Sequence, residues 1–238
     1  MDHPLIGNRL KVETMRVVLR IGGSVVASPI NTELISKYAE LLKALRNEGH
    51  EVVAVVGGGK LAREFIGVAK ELGLAAEAQD ELAISVSRLF AQLFLKKLGS
   101  FACERVAVTL DEAATFLNLR KVLVMGGLKP GITTDAVAAL VAERVGADLL
   151  IKGTDQDGVY DKDPRKHIDA LKLDHLFLDD LCKVLELNKH AAGMHQIVDP
   201  VAIEVLKRRP MKFIVVNGFN PDNILAAVNG ENVGTTID

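Results

Sequence analysis

Residues 16–24 read Arg-Val-Val-Leu-Arg-Ile-Gly-Gly-Ser, and residues 51–60 read Glu-Val-Val-Ala-Val-Val-Gly-Gly-Gly-Lys. Each apolar, β-branched run is typical of a buried strand, and each ends in glycine. Between them, apolar residues at helical spacing predict a helix over residues 32–47, with Asn31 as its N-cap and Gly49 after its end. A strand, a helix and a second strand in this order form a β-α-β unit with parallel strands and a right-handed crossover.

The same alternation of strands and helices continues along the chain. Further strands are expected at residues 105–109, 121–125, 148–152, 212–216 and 234–237. Further helices are expected at residues 60–72, 80–98, 111–117, 135–145, 178–187, 201–208 and 221–228. This pattern predicts an α/β fold in which a mainly parallel central sheet lies between two layers of helices, a three-layer αβα arrangement.

We expect a single domain from residue 15 onward, because no repeat or linker-like segment interrupts the alternation. Two lobes that share one sheet, residues 15–120 and 121–238, would meet near residue 120. Residues 1–14 have no clear period, so they are expected to form a disordered arm or to lie upstream of the working start at Met15.

Composition narrows the class of protein. The 238 residues include 29 Lys and Arg against 31 Asp and Glu, and aromatic residues make up 4%. A nearly neutral chain with few aromatic side chains is not typical of a nucleic-acid binder. No apolar run approaches the roughly 20 residues of a membrane-spanning helix, and two cysteines provide no disulfide framework. The expectation is a cytoplasmic protein without a membrane or nucleic-acid partner.

Glycine clusters at residues 22–23, 57–59 and 126–127 each follow an apolar strand. The carboxyl ends of parallel strands lie on one edge of a sheet, where open α/β folds bind ligands. Glycine allows close backbone approach, and free N–H groups there attract phosphate. The second cluster matches neither of two common phosphate-binding motifs. A Walker loop would need glycine at Ala54 and Ser or Thr at Leu61, and a dinucleotide-binding fingerprint would need glycine at Ala62.

Charged and hydroxyl residues follow the same strand ends. Lys60 and Arg63 come after the second glycine cluster, Thr133, Thr134 and Asp135 after the third, and Lys152 ends a strand. Residues 154–164 hold four aspartates but lack the spacing of a calcium-binding loop. Any one of these residues could be a solvated loop charge, whereas the group together favours phosphoryl transfer.

At these residues the chain resembles the amino-acid kinase superfamily and, within it, the archaeal-type UMP kinases. Four segments carry most of the resemblance: Ile21-Gly-Gly-Ser24, Val56-Gly-Gly-Gly-Lys-Leu-Ala-Arg-Glu64, Met125-Gly-Gly-Leu-Lys-Pro-Gly-Ile-Thr-Thr-Asp-Ala136 and Thr154-x-x-Asp-Gly-Val-Tyr-x-x-Asp-Pro164. The closing Gly234-Thr-Thr-Ile237 also matches. The resemblance implies transfer of the γ-phosphate of ATP to UMP, with Mg²⁺ carried by ATP rather than by protein ligands, and a homo-oligomer, commonly a hexamer.

The resemblance also implies roles for individual residues. It places the ATP phosphates at Gly23, Ser24, Gly59 and Arg63, and the nucleoside end of ATP along Thr154, Asp155, Tyr160 and Asp163. It places UMP at Gly58, at Asp80, which would meet the ribose, and at the loop of Leu128, Lys129, Pro130, Gly131, Ile132, Thr133 and Thr134. Asp135 would organise the cations around the transferred group. The first lobe would hold the acceptor and the second ATP.

Three positions depart from the family pattern. Many members have lysine where this chain has Arg20, and Lys152 matches a lysine of bacterial UMP kinases that archaeal relatives often lack. The resemblance therefore leaves Arg20 or Lys152 as the catalytic cation. Phe90 stands where the family tends to have asparagine. Two alternatives therefore stay open: the same fold acting on a carboxylate, a carbamate or isopentenyl phosphate, and a non-catalytic nucleotide-binding relative.

Overall fold

The structure, a computed structural model, describes residues 13–188 and 198–238. Most of the expected N-terminal arm, residues 1–12, lies outside the described residues. The strands are β1 (Arg16–Ile21), β2 (Glu51–Val56), β3 (Leu123–Met125), β4 (Leu149–Thr154), β5 (Val159–Tyr160), β6 (Lys172–Leu173), β7 (His175–Leu176), β8 (Lys212–Asn217) and β9 (Thr235–Ile237). The helices are α1 (Gly23–Val26), α2 (Thr32–Asn47), α3 (Gly59–Glu71), α4 (Ala76–Leu98), α5 (Leu110–Leu117), α6 (Thr134–Val145), α7 (Leu178–Asn188), α8 (Pro200–Arg208) and α9 (Asp222–Val228).

Seven strands form one sheet in the order β3-β2-β1-β4-β8-β9-β7. From β3 to β8 all neighbours are parallel, and β9 runs antiparallel to β8. Successive side chains of β1 enter opposite layers: Val17 and Leu19 belong to one buried apolar cluster and Val18 to the other. Helices therefore cover both faces, which confirms the α/β fold with a mainly parallel sheet.

Local sequence signals fix several helix starts. The Asn31 side chain accepts a hydrogen bond from the backbone N–H of Leu34 at 2.9 Å, so α2 begins where its cap predicts. Asp199 caps α8 in the same way, accepting from the backbone N–H of Val201 at 2.7 Å. Both helices have the boundaries expected from sequence to within one residue.

The strand predicted at residues 105–109 is wrong. This described segment forms only an isolated bridge between Ala107 and Met125. Its polar groups serve the next helix instead: Thr109 accepts from the N–H of Glu112 at 3.1 Å, and the Glu112 carboxylate accepts from the N–H of Val108 at 2.9 Å. This helix-capping arrangement takes up the N–H of Val108, which a strand could otherwise use for pairing.

Between β4 and β7, where no strand is expected from the sequence, a small antiparallel hairpin, β5–β6, forms, in which Val159 pairs with Leu173 and Tyr160 with Lys172. Helix α4 starts at Ala76, four residues before its predicted start. The division into two lobes near residue 120 stays a prediction, and β3, which follows that position, pairs with β2 of the first lobe.

Candidate active site

The three glycine clusters lie side by side, because β3, β2 and β1 are parallel neighbours and each cluster follows a carboxyl end. The first two clusters are in backbone contact: a Cβ atom on Gly23 would overlap the backbone nitrogen of Gly59. Gly59 also has a φ of +60°, which side chains rarely adopt. The Ser28 hydroxyl links the same loops, donating to the carbonyl of Gly23 at 3.1 Å and accepting from the N–H of Lys60 at 2.5 Å.

A cluster of three charged side chains lies next to this edge. Arg20 of β1 and Lys152 of β4 are partners across parallel strands, and Asp135 lies in the first turn of α6. The Asp135 carboxylate lies between the two cations, with Oδ1 2.6 Å from Arg20 Nε and Oδ2 2.5 Å from Lys152 Nζ. Side-chain exposures of 8% for Lys152 and about twice that for Arg20 (16%) and Asp135 (15%) make this a largely buried cluster.

Burial and charge act in opposite directions on these groups. Burial alone would raise the pKa of Asp135, but the adjacent charges of Arg20 and Lys152 outweigh it and hold that pKa below its usual range. Burial lowers the pKa of Lys152, and the Asp135 carboxylate opposes this shift. We therefore treat Asp135 as ionised and bound to two cations.

The loop after β3 is attached at several points. The Asp80 carboxylate of α4 accepts a hydrogen bond from the N–H of Gly131 at 2.7 Å. Thr133 donates from its hydroxyl to Asp199 at 2.7 Å and caps α6, accepting from the N–H of Ala136 at 3.2 Å. The loop therefore lies between the N-terminal part of α4 and the start of α8.

One cavity of about 1030 Å³ brings the predicted residues together. All three predicted catalytic residues and all eight predicted ATP-binding residues line it: Arg20, Asp135, Lys152, Gly23, Ser24, Gly59, Arg63, Thr154, Asp155, Tyr160 and Asp163. Seven of the nine predicted acceptor residues also line it: Gly58, Asp80, Lys129, Gly131, Ile132, Thr133 and Thr134.

The two exceptions are Leu128 and Pro130, which are not among the described residues that line the cavity. The Leu128 side chain instead packs against the buried apolar cluster on the α6 face of the sheet. The lining includes six Lys or Arg side chains and four Asp side chains, so the cavity favours anionic ligands.

Comparison with known proteins gives the family. The sequence profile of the amino acid kinase family matches residues 15–217. The chain belongs to the amino acid kinase family.

Similar proteins within this family share nearly the whole chain. A uridylate kinase of Methanocaldococcus jannaschii is 43% identical over 226 residues, which are 94% of this chain and 100% of that protein. A uridylate kinase of Methanobrevibacter smithii is 41% identical over 224 residues, 94% of this chain and 99% of that protein. The crystal structure of uridylate kinase from Archaeoglobus fulgidus superposes with a TM-score of 0.86 at 39% identity, covering 94% of this chain and 100% of that one.

Sequence reasoning missed several residues of this amino acid kinase site. Gln156, Lys162 and Arg165 line the cavity beside the predicted nucleoside end of ATP, and Arg165 pairs with Asp155 at 2.5 Å. The aspartate-rich composition of residues 154–164 was the available signal for that wall. Ser28 and Ser87 gave no comparable signal, because their contacts depend on the tertiary fold.

Phe90 of this amino acid kinase is 3% exposed and belongs to the apolar core, so it makes no direct contact with the cavity in the described part of the chain. No group of three or more His, Cys, Asp or Glu side chains in residues 13–188 and 198–238 could hold a metal ion. No helix among those residues has both the length and the apolar character needed to cross a membrane.

Proposed function

We propose that this chain transfers the γ-phosphate of ATP to UMP, giving UDP and ADP. The observation that carries the proposal is that the Asp135 carboxylate binds both Arg20 and Lys152 in the cavity. The glycine clusters at the carboxyl ends of β1 and β2 (the glycine edge) and the loop after β3 line the same cavity. Ligand cavities span roughly 300–1,000 Å³, so a volume of about 1030 Å³ suits a donor and an acceptor together. The uridylate kinases at 41–43% identity support UMP as the acceptor.

The donor would occupy the glycine edge and the β5 side of the cavity. Backbone N–H groups near Gly23, Ser24 and Gly59, with the Arg63 guanidinium, would bind the ATP phosphates. Thr154, Asp155, Tyr160 and Asp163 would contact the nucleoside end. The acceptor would lie between Gly58, Asp80 and residues 128–134, with Asp80 toward the ribose.

In this reaction an oxygen of the UMP phosphate forms a bond to the γ-phosphorus of ATP as the bond from that phosphorus to the β–γ bridging oxygen breaks, and ADP leaves. The attacking oxygen is already ionised, so the transfer needs no general base. Catalysis rests on positioning and on positive charge around the transferred group. Lys152 and Arg20 would supply that charge, and Asp135 would hold them in place.

Mg²⁺ bound to ATP would neutralise charge on the phosphates. We propose that it arrives with the nucleotide, because its usual ligands are one or two carboxylates together with substrate phosphates and water. The Asp135 carboxylate is already bound to two cations, so the ATP phosphates would be the main ligands of Mg²⁺.

We also propose a homo-oligomer, with the hexamer that the resemblance implies as the specific expectation, and a cytoplasmic location. Exposed apolar side chains on neighbouring helices support self-association: Phe65, Val68 and Leu72 on or next to α3, and Leu89 and Leu93 on α4. Light scattering during size-exclusion chromatography measures the assembly, and a monomer at micromolar concentration would contradict it.

A coupled assay of ADP release tests the activity, with ATP and Mg²⁺ against UMP, a carboxylate, a carbamate and isopentenyl phosphate. We expect UMP-dependent ADP release that is lost in Asp135→Asn and strongly reduced in Arg63→Ala. Arg144→Ala, which removes an exposed arginine paired with Asp111 away from the cavity, is the matched control and keeps its activity.

Turnover with another acceptor but not with UMP would refute UMP specificity and retain the kinase. Binding of nucleotides without any turnover would favour the non-catalytic relative.

A further inference from the structure

Arg88 of α4 binds two successive carbonyl groups of the loop after β3. Its Nε donates to the carbonyl of Gly127 at 2.9 Å, and one terminal nitrogen donates to the carbonyl of Leu128 at 2.9 Å. These two carbonyl groups lie about forty residues after Arg88 in the sequence. A planar guanidinium bound in this two-point manner fixes both position and orientation of the peptide groups that it holds.

The start of the same loop is pressed against α4. A Cβ atom on Gly126 would lie 2.7 Å from the backbone nitrogen of Arg88, so this position has no room for a side chain. The Ser87 hydroxyl accepts from the N–H of Gly127 at 2.8 Å. Together Ser87 and Arg88 fix three consecutive peptide groups, those that contain the N–H of Gly127 and the carbonyls of Gly127 and Leu128.

The direction of the following N–H groups is a consequence of peptide geometry. In a trans peptide the N–H points opposite to the carbonyl, and the cis bond found in the described residues is Ser28–Pro29. The N–H groups of Leu128 and Lys129 therefore point away from the Arg88 guanidinium. Gly127 and Lys129 line the cavity, whereas Arg88 is not among the described lining residues, so the guanidinium lies behind the loop.

These two N–H groups are available for a ligand. Within residues 13–188 and 198–238, neither has a hydrogen-bond acceptor. Two successive N–H groups that point the same way form a concave donor site for an anion.

We propose that Arg88 is a positioning residue that turns the N–H groups of Leu128 and Lys129 toward the phosphate of the acceptor nucleotide, an inference that rests on the proposed UMP kinase activity. Arg88 itself stays behind the loop and does not touch the nucleotide. It thereby sets affinity for the acceptor rather than for ATP.

Steady-state kinetics of Arg88→Met and Arg88→Lys, with UMP and ATP varied separately, test this role. We expect Arg88→Met to raise KM for UMP at least tenfold while KM for ATP changes less than twofold. Arg88→Lys, which keeps the charge but can hold only one carbonyl well, should lie between Arg88→Met and the wild type. Titration calorimetry with UMP alone should show the same order of affinities.

Arg46 provides the matched control. It also donates to two backbone carbonyls, those of Arg120 at 2.7 Å and His50 at 2.9 Å, but does not line the cavity in the described structure. Arg46→Met should lower Tm about as much as Arg88→Met does, but it should leave KM for UMP and KM for ATP unchanged. This comparison separates positioning from a general loss of stability.

An unchanged KM for UMP in either folded Arg88 variant, or an equal rise in both KM values, would overturn the role of Arg88 and leave the kinase activity intact. A wild-type protein that does not turn over UMP would instead overturn the proposed function, and this inference with it.

Discussion

Replacing Asp135 with asparagine removes one charge from the buried cluster and keeps the size of the side chain. In the wild type the carboxylate lies 2.6 Å from Arg20 Nε and 2.5 Å from Lys152 Nζ, so one anion offsets two cations. In Asp135→Asn the two cations face each other across a neutral amide. In Lys152→Met, by contrast, Arg20 and Asp135 remain as a balanced pair, and an apolar side chain of similar length fills the space.

The two substitutions should therefore have very unequal effects on stability. Removing one partner of a buried ion pair costs about 3–5 kcal/mol, and 1 kcal/mol shifts Tm by about 2–4 °C in a chain of this size. We expect Asp135→Asn to lower Tm by roughly 6–20 °C. Lys152→Met should change the free energy of unfolding by no more than about 1 kcal/mol while reducing kcat by about 10²–10³-fold.

Differential scanning calorimetry of both variants and of Glu143→Gln measures these shifts. Glu143 pairs with Arg208 at 2.6 Å on the surface, where solvent screens the charges, so that control should barely move Tm. The reasoning is refuted if Asp135→Asn has the same Tm as the wild type, or if Lys152→Met has a lower Tm than Asp135→Asn.

Three further outcomes are expected. Because folding lowers the pKa of Asp135, the stabilising contribution of its carboxylate is present above the ordinary carboxyl pKa of about 3.9 and is lost as the pH falls through the lowered pKa. When Tm is measured at decreasing pH, it should therefore fall less in Asp135→Asn than in the wild type. Gly126→Ala should cost about 1–3 kcal/mol through overpacking against α4, whereas Gly67→Ala, with nothing within 4 Å of the new methyl group, should stabilise α3 by about 0.5–1 kcal/mol, as measured by urea unfolding. Phe90→Asn should lower the free energy of unfolding by about 3 kcal/mol or more, because Phe90 is 3% exposed in the core; a fully stable variant would contradict this.

Features with a local cause could be predicted from the sequence. Strands β1 and β2 are unbroken apolar runs, and α2 has its cap at Asn31, so their boundaries follow from neighbouring residues alone. The shared edge of the glycine clusters also follows, because it needs only parallel strands. The placement of Asp135 between two cations required the family resemblance.

Features set by distant contacts could not be predicted in this way. Residues 105–109 have the apolar character of a strand, but the N–H of Val108 and the hydroxyl of Thr109 are used in the capping of α5. The β5–β6 hairpin joins residues across a charged segment without an apolar alternation. Arg88 lies on a helix that already satisfies the apolar pattern, and its partners lie in a loop about forty residues away.

The backbone contact between the first two glycine loops has a consequence for motion. Gly23 and Gly59 touch directly and Ser28 ties them together, so this wall of the cavity moves as a single body. The cavity lining also includes β5 and residues 162–165, and most of the hairpin loop between β5 and β6, including Leu171, is exposed. Local opening favours segments with few buried contacts. Nucleotides should therefore enter and leave on the hairpin side, and amide hydrogen exchange should be faster there than at the glycine loops.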